Sequence, residues 1–131
     1  GVQIGRNYIV RYPAGVNPDG SVAFLTEIPE HTPCRILGAS KDQQIEAAES
    51  SARQALEGAG RKPSGALVFD CAVRFVSLGD DFPKAIERVR SVLQAPFAGF
   101  ETSGEVAILP GDTEGFHNTT TVTLAFPATE D

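Results

Sequence analysis

The alternation of apolar and polar positions changes period several times along the chain. "IGRNYIVRYP", Ile4 to Pro13, is rich in β-branched and aromatic residues and stops at Pro13 and the turn-forming "AGVNPDG". "SVAFLTEIP", Ser21 to Pro29, follows, so the pattern predicts an antiparallel pair of strands joined by a Pro/Gly loop. "TPCRILGA", Thr32 to Ala39, alternates again and predicts a third short strand.

The period then becomes helical. In "SKDQQIEAAESSARQALEGAG", Ser40 and Gln43 have capping-box spacing, and Ile45, Ala48, Ala52, Ala55, Leu56 and Ala59 fall on one face. Gly58, Gly60 and Pro63 supply the stop. An alanine-rich face lets the helix axis approach a sheet closely. "SGALVFDCAVRF", Ser64 to Phe75, holds too few polar residues for an edge and predicts a central strand, buried on both faces over Ala66 to Phe69. Asp80 or Asp81 can cap a second helix, with Pro83 in its first turn and Ile86, Val89 and Leu93 inward, ending before Pro96. "PFAGFETSGEVAIL" and "NTTTVTLAFP" resume strand character. The predicted order is βββαβαββ, an α+β fold in which a mixed, mostly antiparallel sheet carries two packed helices. The crossover helix makes the strands near Leu67 and Phe97 parallel. With no internal repeat and no boundary signal, residues 1–131 read as a single domain.

Composition narrows the function classes. With 131 residues, 41% of them hydrophobic and 21% charged, the chain is globular. A chain of this size can bury about 65% of its unfolded surface and needs neither disulfide nor metal to be stable. The formal charge is −6, and the 11 Lys and Arg residues are scattered rather than striped, which argues against nucleic acid as a partner. Apolar runs fall far short of the roughly 20 residues a membrane span needs, so no membrane is expected and the reading is cytoplasmic. Cys34 and Cys71, in strand-like apolar surroundings without close spacing, read as two buried free thiols in a reducing compartment. The chain starts at Gly1 within sequence that already reads as folded and contains no Met, so the reading is a segment of a longer protein.

Few residues carry the types that chemistry needs. Asp70, Cys71 and Arg74 stand at the end of the central strand, where open sheets form ligand crevices. Arg74 offers a rigid fork of donors for a carboxylate or phosphate, or pairs with Asp70. His117, with Asn118 at the mouth of the last strand, is a base, a metal or haem ligand, or a structural anchor. Cys71 and His117 have the residue types of a nucleophile and base, but no elbow or signature joins them, and the reading is not an enzyme. The two Cys and two His lack zinc-ligand spacing, and His31 sits in a polar turn. Glu101 and Glu105 need not face each other, and Gly104 marks a bend where another group approaches closely. The threonines at 119, 120, 121 and 123 are ordinary strand formers, of which alternate ones line a cavity or face water.

Three blocks, "GALVFDCAVRF", "PFAGFETSGEVAIL" and "FHNTTTVTLAF", resemble in order and spacing those of the FIST C-terminal domain, usually near A-L-x-F-x-C-x-x-R-G, G-F-x-T-x-G-E and H-N-x-T. "YIVRYPAGVNPDGSVAFLTEIPEHTPCRI" resembles the start of that domain, so the likeness covers nearly the whole chain. The resemblance implies a sensory module of signal transduction proteins of bacteria and archaea, and of some F-box proteins, and the reading is non-enzymatic. Such a module follows an N-terminal FIST domain and binds a small molecule, with amino acids or similar carboxylates as the class. The motif residues carried over as ligand-binding are Cys71, Arg74, Thr102, Gly104, Glu105, His117 and Asn118. Arg74 would meet a carboxylate and Glu105 an ammonium. Gly99 and Phe100 also match, while Phe75 replaces a usual glycine, and Glu101 and Ser103 replace aromatic residues. No cofactor is expected in that reading. Two alternatives stay open: a haem or nitric-oxide sensor with His117 as ligand, and a protein-interaction domain using a sheet edge or the loop from Leu109 to Phe116.

Overall fold

The structure is a computed structural model, and it describes residues 1–4, 7–108 and 115–129. The loop residues 109–114, named above for the interaction reading, lie outside the described residues.

The first segment is a set of short hairpins. β1 (Val2–Ile4) pairs antiparallel with β2 (Asn7–Ile9), and β3 (Pro13–Val16) pairs antiparallel with β4 (Val22–Phe24). The pairing expected between Ile4–Pro13 and Ser21–Pro29 is corrected: β2 pairs with β1, and β4 pairs with a strand that begins at Pro13, inside the expected loop. "PAGV" is strand, and the turn is confined to "NPDG". There Gly20 N donates to Asn17 O at 2.9 Å, and Asp19 Oδ1 accepts from the Ser21 amide at 2.9 Å and its hydroxyl at 2.7 Å. Pro13 can open a strand because the first position needs no ladder N–H. The third strand expected over Thr32–Ala39 does not form. It is reduced to an isolated bridge, Val2 to Cys34, beside an exchange of bonds between Gly1 and Arg35. Pro33 removes one of the donors a ladder would need.

α1 (Lys41–Ala59) starts as the spacing predicts: the Gln43 amide donates to Ser40 Oγ at 3.2 Å, and the Ser40 amide donates to Gln43 Oε1 at 2.8 Å. Gly60 ends it at φ 67°, a left-handed conformation in which glycine carries no Cβ penalty. Ile45, Ala48 and Ala52 are its buried residues. β5 (Pro63–Cys71) is the central strand of a three-stranded sheet ordered β6-β5-β9, with β6 (Phe97–Thr102) parallel to it and β9 (Thr121–Pro127) antiparallel. Between β5 and β6 the chain forms α2 (Ala72–Leu78), a 3₁₀ turn over Gly79–Asp81, and α3 (Phe82–Leu93). The fold is therefore α+β and mixed, with one parallel pair among antiparallel ones, and the strands near Leu67 and Phe97 are that parallel pair.

The two long helices cover one face of this sheet. Ala48 and Ala52 of α1, Ala85, Val89 and Leu93 of α3, and Ala66 and Val68 of β5 share one core with Leu78. Small side chains at the contact permit this approach, and a Cβ on Gly99 would run into the Val68 carbonyl oxygen of the neighbouring strand. The opposite face is not closed. Leu67 and Phe69 are half-buried there, and Phe100, Leu124 and Phe126 are exposed, so burial of β5 on both faces is corrected to burial on the helix side. Asp81 also departs from expectation: it precedes α3 without a side-chain cap and instead pairs with Lys41 at 3.1 Å and Lys84 at 2.6 Å.

Candidate functional site

The site is built where β5 ends. Strand character was expected to run on to Phe75, but the ladder stops at Cys71, paired with Thr102, and the chain turns directly into α2. Arg74 and Leu78, four residues apart, then face inward together. Helical geometry also returns Arg74 toward Asp70. Arg74 Nε donates to Asp70 Oδ1 at 2.6 Å, and Nη2 donates to the Gln44 carbonyl of α1 at 3.0 Å. Asp70 Oδ2 accepts from Thr121 Oγ1 of β9 at 3.0 Å. Both partners are buried, Arg74 to 2% exposure and Asp70 to 4%. Burial pushes the Asp70 carboxyl above its ordinary value, against the opposing pull of Arg74 and Thr121.

A second polar cluster lies beside the first. Glu105, in β7 (Glu105–Val106), is 1% exposed. Its Oε1 accepts from Thr102 Oγ1 at 2.6 Å, and its Oε2 accepts from the Thr120 amide at 3.3 Å and hydroxyl at 3.0 Å. Both oxygens of the carboxylate are thus engaged. β8 (Phe116–His117) pairs antiparallel with β7, and His117 Nε2 hydrogen-bonds the Ala107 carbonyl at 2.9 Å. A Cβ on Gly104 would strike the Phe116 ring, so the glycine lets that ring pack onto the bend between β6 and β7. Asn118 is fully buried and ties this end of the chain to the first hairpins: its Oδ1 accepts from the Tyr12 amide at 3.3 Å and from Thr26 Oγ1 at 3.0 Å, and its own amide donates to Val10 O at 3.3 Å. Cys71 is buried with its thiol pushed above the usual range by desolvation, whereas Cys34 is exposed, which corrects the expectation of two buried thiols. Both are free.

Between the first hairpins, the stretch from Cys34 to Ala39, and the α1–α2 corner lies a cleft of about 770 Å³. Its walls are mainly apolar, from Val10, Tyr12, Phe24, Ile36 and Val73 among others, and Arg74 reaches it. Of the seven residues expected to bind a ligand, Arg74 lines this cleft, and Cys71, Thr102, Gly104, Glu105, His117 and Asn118 are not among its lining residues. Arg74 and Glu105 are held by different partners, and only Arg74 of the two lines the cleft. Arg74 is bonded to Asp70, whereas Glu105 is held by Thr102, the partner of Cys71 in the strand register. Sequence reasoning missed Arg11, Tyr12, Gln44, Val73 and Ser77 as cleft residues, while Thr119 is one of the threonines it offered as cavity-lining. Thr119, at φ 60°, carries no pattern that signals a left-handed turn, and Arg11 read as one of many scattered cations. A signal was available in α2, where a cleft-lining Val73, Arg74 and Ser77 fit helical spacing.

Among the described residues, no group of three or more His, Cys, Asp or Glu is gathered as a metal would need, and no helix is long and apolar enough to cross a membrane. No curated protein and no solved structure matches the chain. Residues 1–108 match the FIST C domain, which covers the cleft walls up to α2, Arg74 itself and the β6–β7 bend, while His117 and Asn118 fall beyond the matched range. The chain therefore belongs to the FIST C domain family, a domain of signal transduction proteins.

Proposed function

We propose that this domain is the ligand-binding part of a sensor, taking a small carboxylate-bearing molecule into the cleft and passing the resulting conformational bias to a neighbouring signalling domain. The observation that carries the reading is Arg74. It is 2% exposed, it lines a cleft of about 770 Å³, and its fork is held in place on Nε and Nη2 by Asp70 and Gln44. Such a volume is typical of small-molecule sites. A guanidinium fixed on one side is preorganised to bond a carboxylate on the other, and little entropy is lost when it does.

The same contacts give occupancy a route outward. Arg74 joins α1 through Gln44 and joins β9 through Asp70 and Thr121, so a ligand pulling on Arg74 loads both elements. A ligand can shift a conformational equilibrium only by its differential affinity for the two states, and a shared arginine supplies one. The haem reading has less support, because His117 Nε2 is engaged with Ala107 O and the ring does not line the cleft. Catalysis finds no support either, because the buried Cys71 thiol is held protonated and His117 is committed elsewhere.

The test is a thermal-unfolding series on the chain with free amino acids, organic carboxylates and haem. A ligand at 100 times its Kd adds about 2.7 kcal/mol, a shift on the order of 10 °C for a domain of this size. The series is repeated on Arg74→Lys, which keeps charge near Asp70 but loses the fork, and on Val73→Phe, which fills the cleft wall. A carboxylate-induced shift lost in both variants supports the proposal; a shift that survives both places the ligand elsewhere and overturns it.

A further inference from the structure

The charge inventory of the cleft is one-sided. Among the described residues, Arg11, Arg35 and Arg74 line it, and no Asp or Glu does. Two buried acids at the end of β5 are already committed: Asp70 accepts from Arg74 and Thr121, and Glu105 accepts from Thr102 and Thr120. Within the guanidinium of Arg74, Nη1 is the nitrogen that holds no hydrogen bond among the described residues, so the group has a donor left for an oxygen and nothing for a cation.

From this we infer that the cleft selects carboxylates with an uncharged, apolar body and discriminates against their α-amino counterparts, an inference that rests on the ligand-binding reading above. A free amino acid brings an ammonium within a few ångströms of its own carboxylate. Seating that carboxylate on Arg74 brings the ammonium beside a cation, away from water and without an acid to pair it. Neutral acceptors in the lining, among them Gln44 Oε1, Tyr12 Oη, Ser77 Oγ and Thr119 Oγ1, can take a hydrogen bond but cannot neutralise the charge. Unpaired burial of a charge is among the most unfavourable things a site can impose. The body of the ligand, by contrast, meets Tyr12, Phe24, Ile28, Ile36 and Val73, which favour an aromatic or branched aliphatic group. The class is therefore arylalkanoate or branched alkanoate, with one carboxylate and no amine.

Isothermal titration of the unmodified chain with matched triplets tests this without relying on a variant that must fold. One triplet is 3-phenylpropionate, phenylalanine and phenethylamine; the other is 4-methylpentanoate, leucine and isopentylamine. The inference expects the acid of each triplet to bind at least about tenfold more tightly than its amino acid, since a mispaired polar group in a small pocket commonly changes affinity by that factor or more. The amine should not bind. Equal or tighter binding of the amino acids overturns the inference and leaves the small-ligand reading standing. Preference for the amines overturns it and also removes Arg74 as the anchor. If no member of either triplet binds while another carboxylate stabilises the chain, the apolar-body specificity is wrong but the sensor reading survives; if no carboxylate of any kind binds, both fall together.

Discussion

The helix-covered half of the domain and the hairpin half use their apolar residues in opposite ways. On the helix side, Leu78, Ala85, Val89 and Leu93 are at or below 1% exposure, and glycine is used where strand and strand touch. On the hairpin side, Val22, Phe24 and Leu37 are close to half exposed and Ile36 is fully exposed, although they are as apolar as the core. All four line the cleft. The first arrangement makes stability. The second leaves apolar surface in contact with water, where it is available to whatever fills the space.

The largest expected effect that would test this contrast is on stability. Leu93→Ala should lower the free energy of unfolding by about 2–5 kcal/mol, as core truncations do, whereas Ile36→Ala should change it by no more than about 0.5 kcal/mol. Urea denaturation of both variants decides it. Ile36→Ala that destabilises as strongly as Leu93→Ala would mean that the hairpin half is core after all.

Backbone approach offers a second, smaller contrast. Gly99→Ala drives a Cβ against the Val68 carbonyl and should cost about 1–3 kcal/mol, the range for overpacking. Gly38→Ala meets nothing within 4 Å and should be neutral or stabilise by about 0.5 kcal/mol through the unfolded chain. Thermal unfolding of the pair would show whether tight packing is confined to the sheet.

The two halves are joined at Asn118. Its replacement by Ala leaves the Tyr12 amide and the Thr26 hydroxyl without their acceptor, which should cost about 1–2 kcal/mol. Hydrogen exchange should then quicken in residues 7–28 and stay slow in β5. Uniform loosening would mean that the halves are one cooperative unit.

The smallest effect is on pH dependence. The folded state holds the Asp70 proton to higher pH than the unfolded state, whose value lies near 3.8. Through the interval above 3.8, the folded chain therefore binds more protons, and Asp70's contribution to stability falls as pH rises. Asp81 and Glu49, held down mainly by Lys84 and Arg53 respectively, act with the opposite sign: their contributions are lost as pH falls below 3.8 and 4.5. Subtracting the urea-derived pH profile of Asp70→Asn from that of the unmodified chain isolates Asp70. A difference that rises with pH would show that Arg74 outweighs burial.

How much of this could be read beforehand follows from how local each signal is. The α1 capping box, the Gly60 stop and the parallel pairing of β5 with β6 depend on neighbouring residues or on a short crossover, and each was legible. The end of β5 was not. "AVRF" has strand composition, but no partner strand extends past Cys71, and Arg74 gains Asp70 by coiling back. The exposed sheet face was equally hidden, because an apolar run does not say on which side the helices will lie. In the site, the motif led to Arg74, Glu105, His117 and Asn118 without distinguishing the residue that lines the cleft from those that do not. That distinction depends on hydrogen bonds such as Thr120 to Glu105 and Thr26 to Asn118, which join segments far apart in the chain.

The central claim is that Arg74 is a ligand anchor rather than a buried structural cation. The most direct measurement is a crystal structure of the chain grown with 3-phenylpropionate. The account predicts the carboxylate within hydrogen-bond distance of Arg74 Nη1, the ring among Tyr12, Phe24 and Val73, and the Arg74 bonds to Asp70 and Gln44 intact. A cleft left without the acid at saturating concentration, or the acid bound away from Arg74, would contradict it.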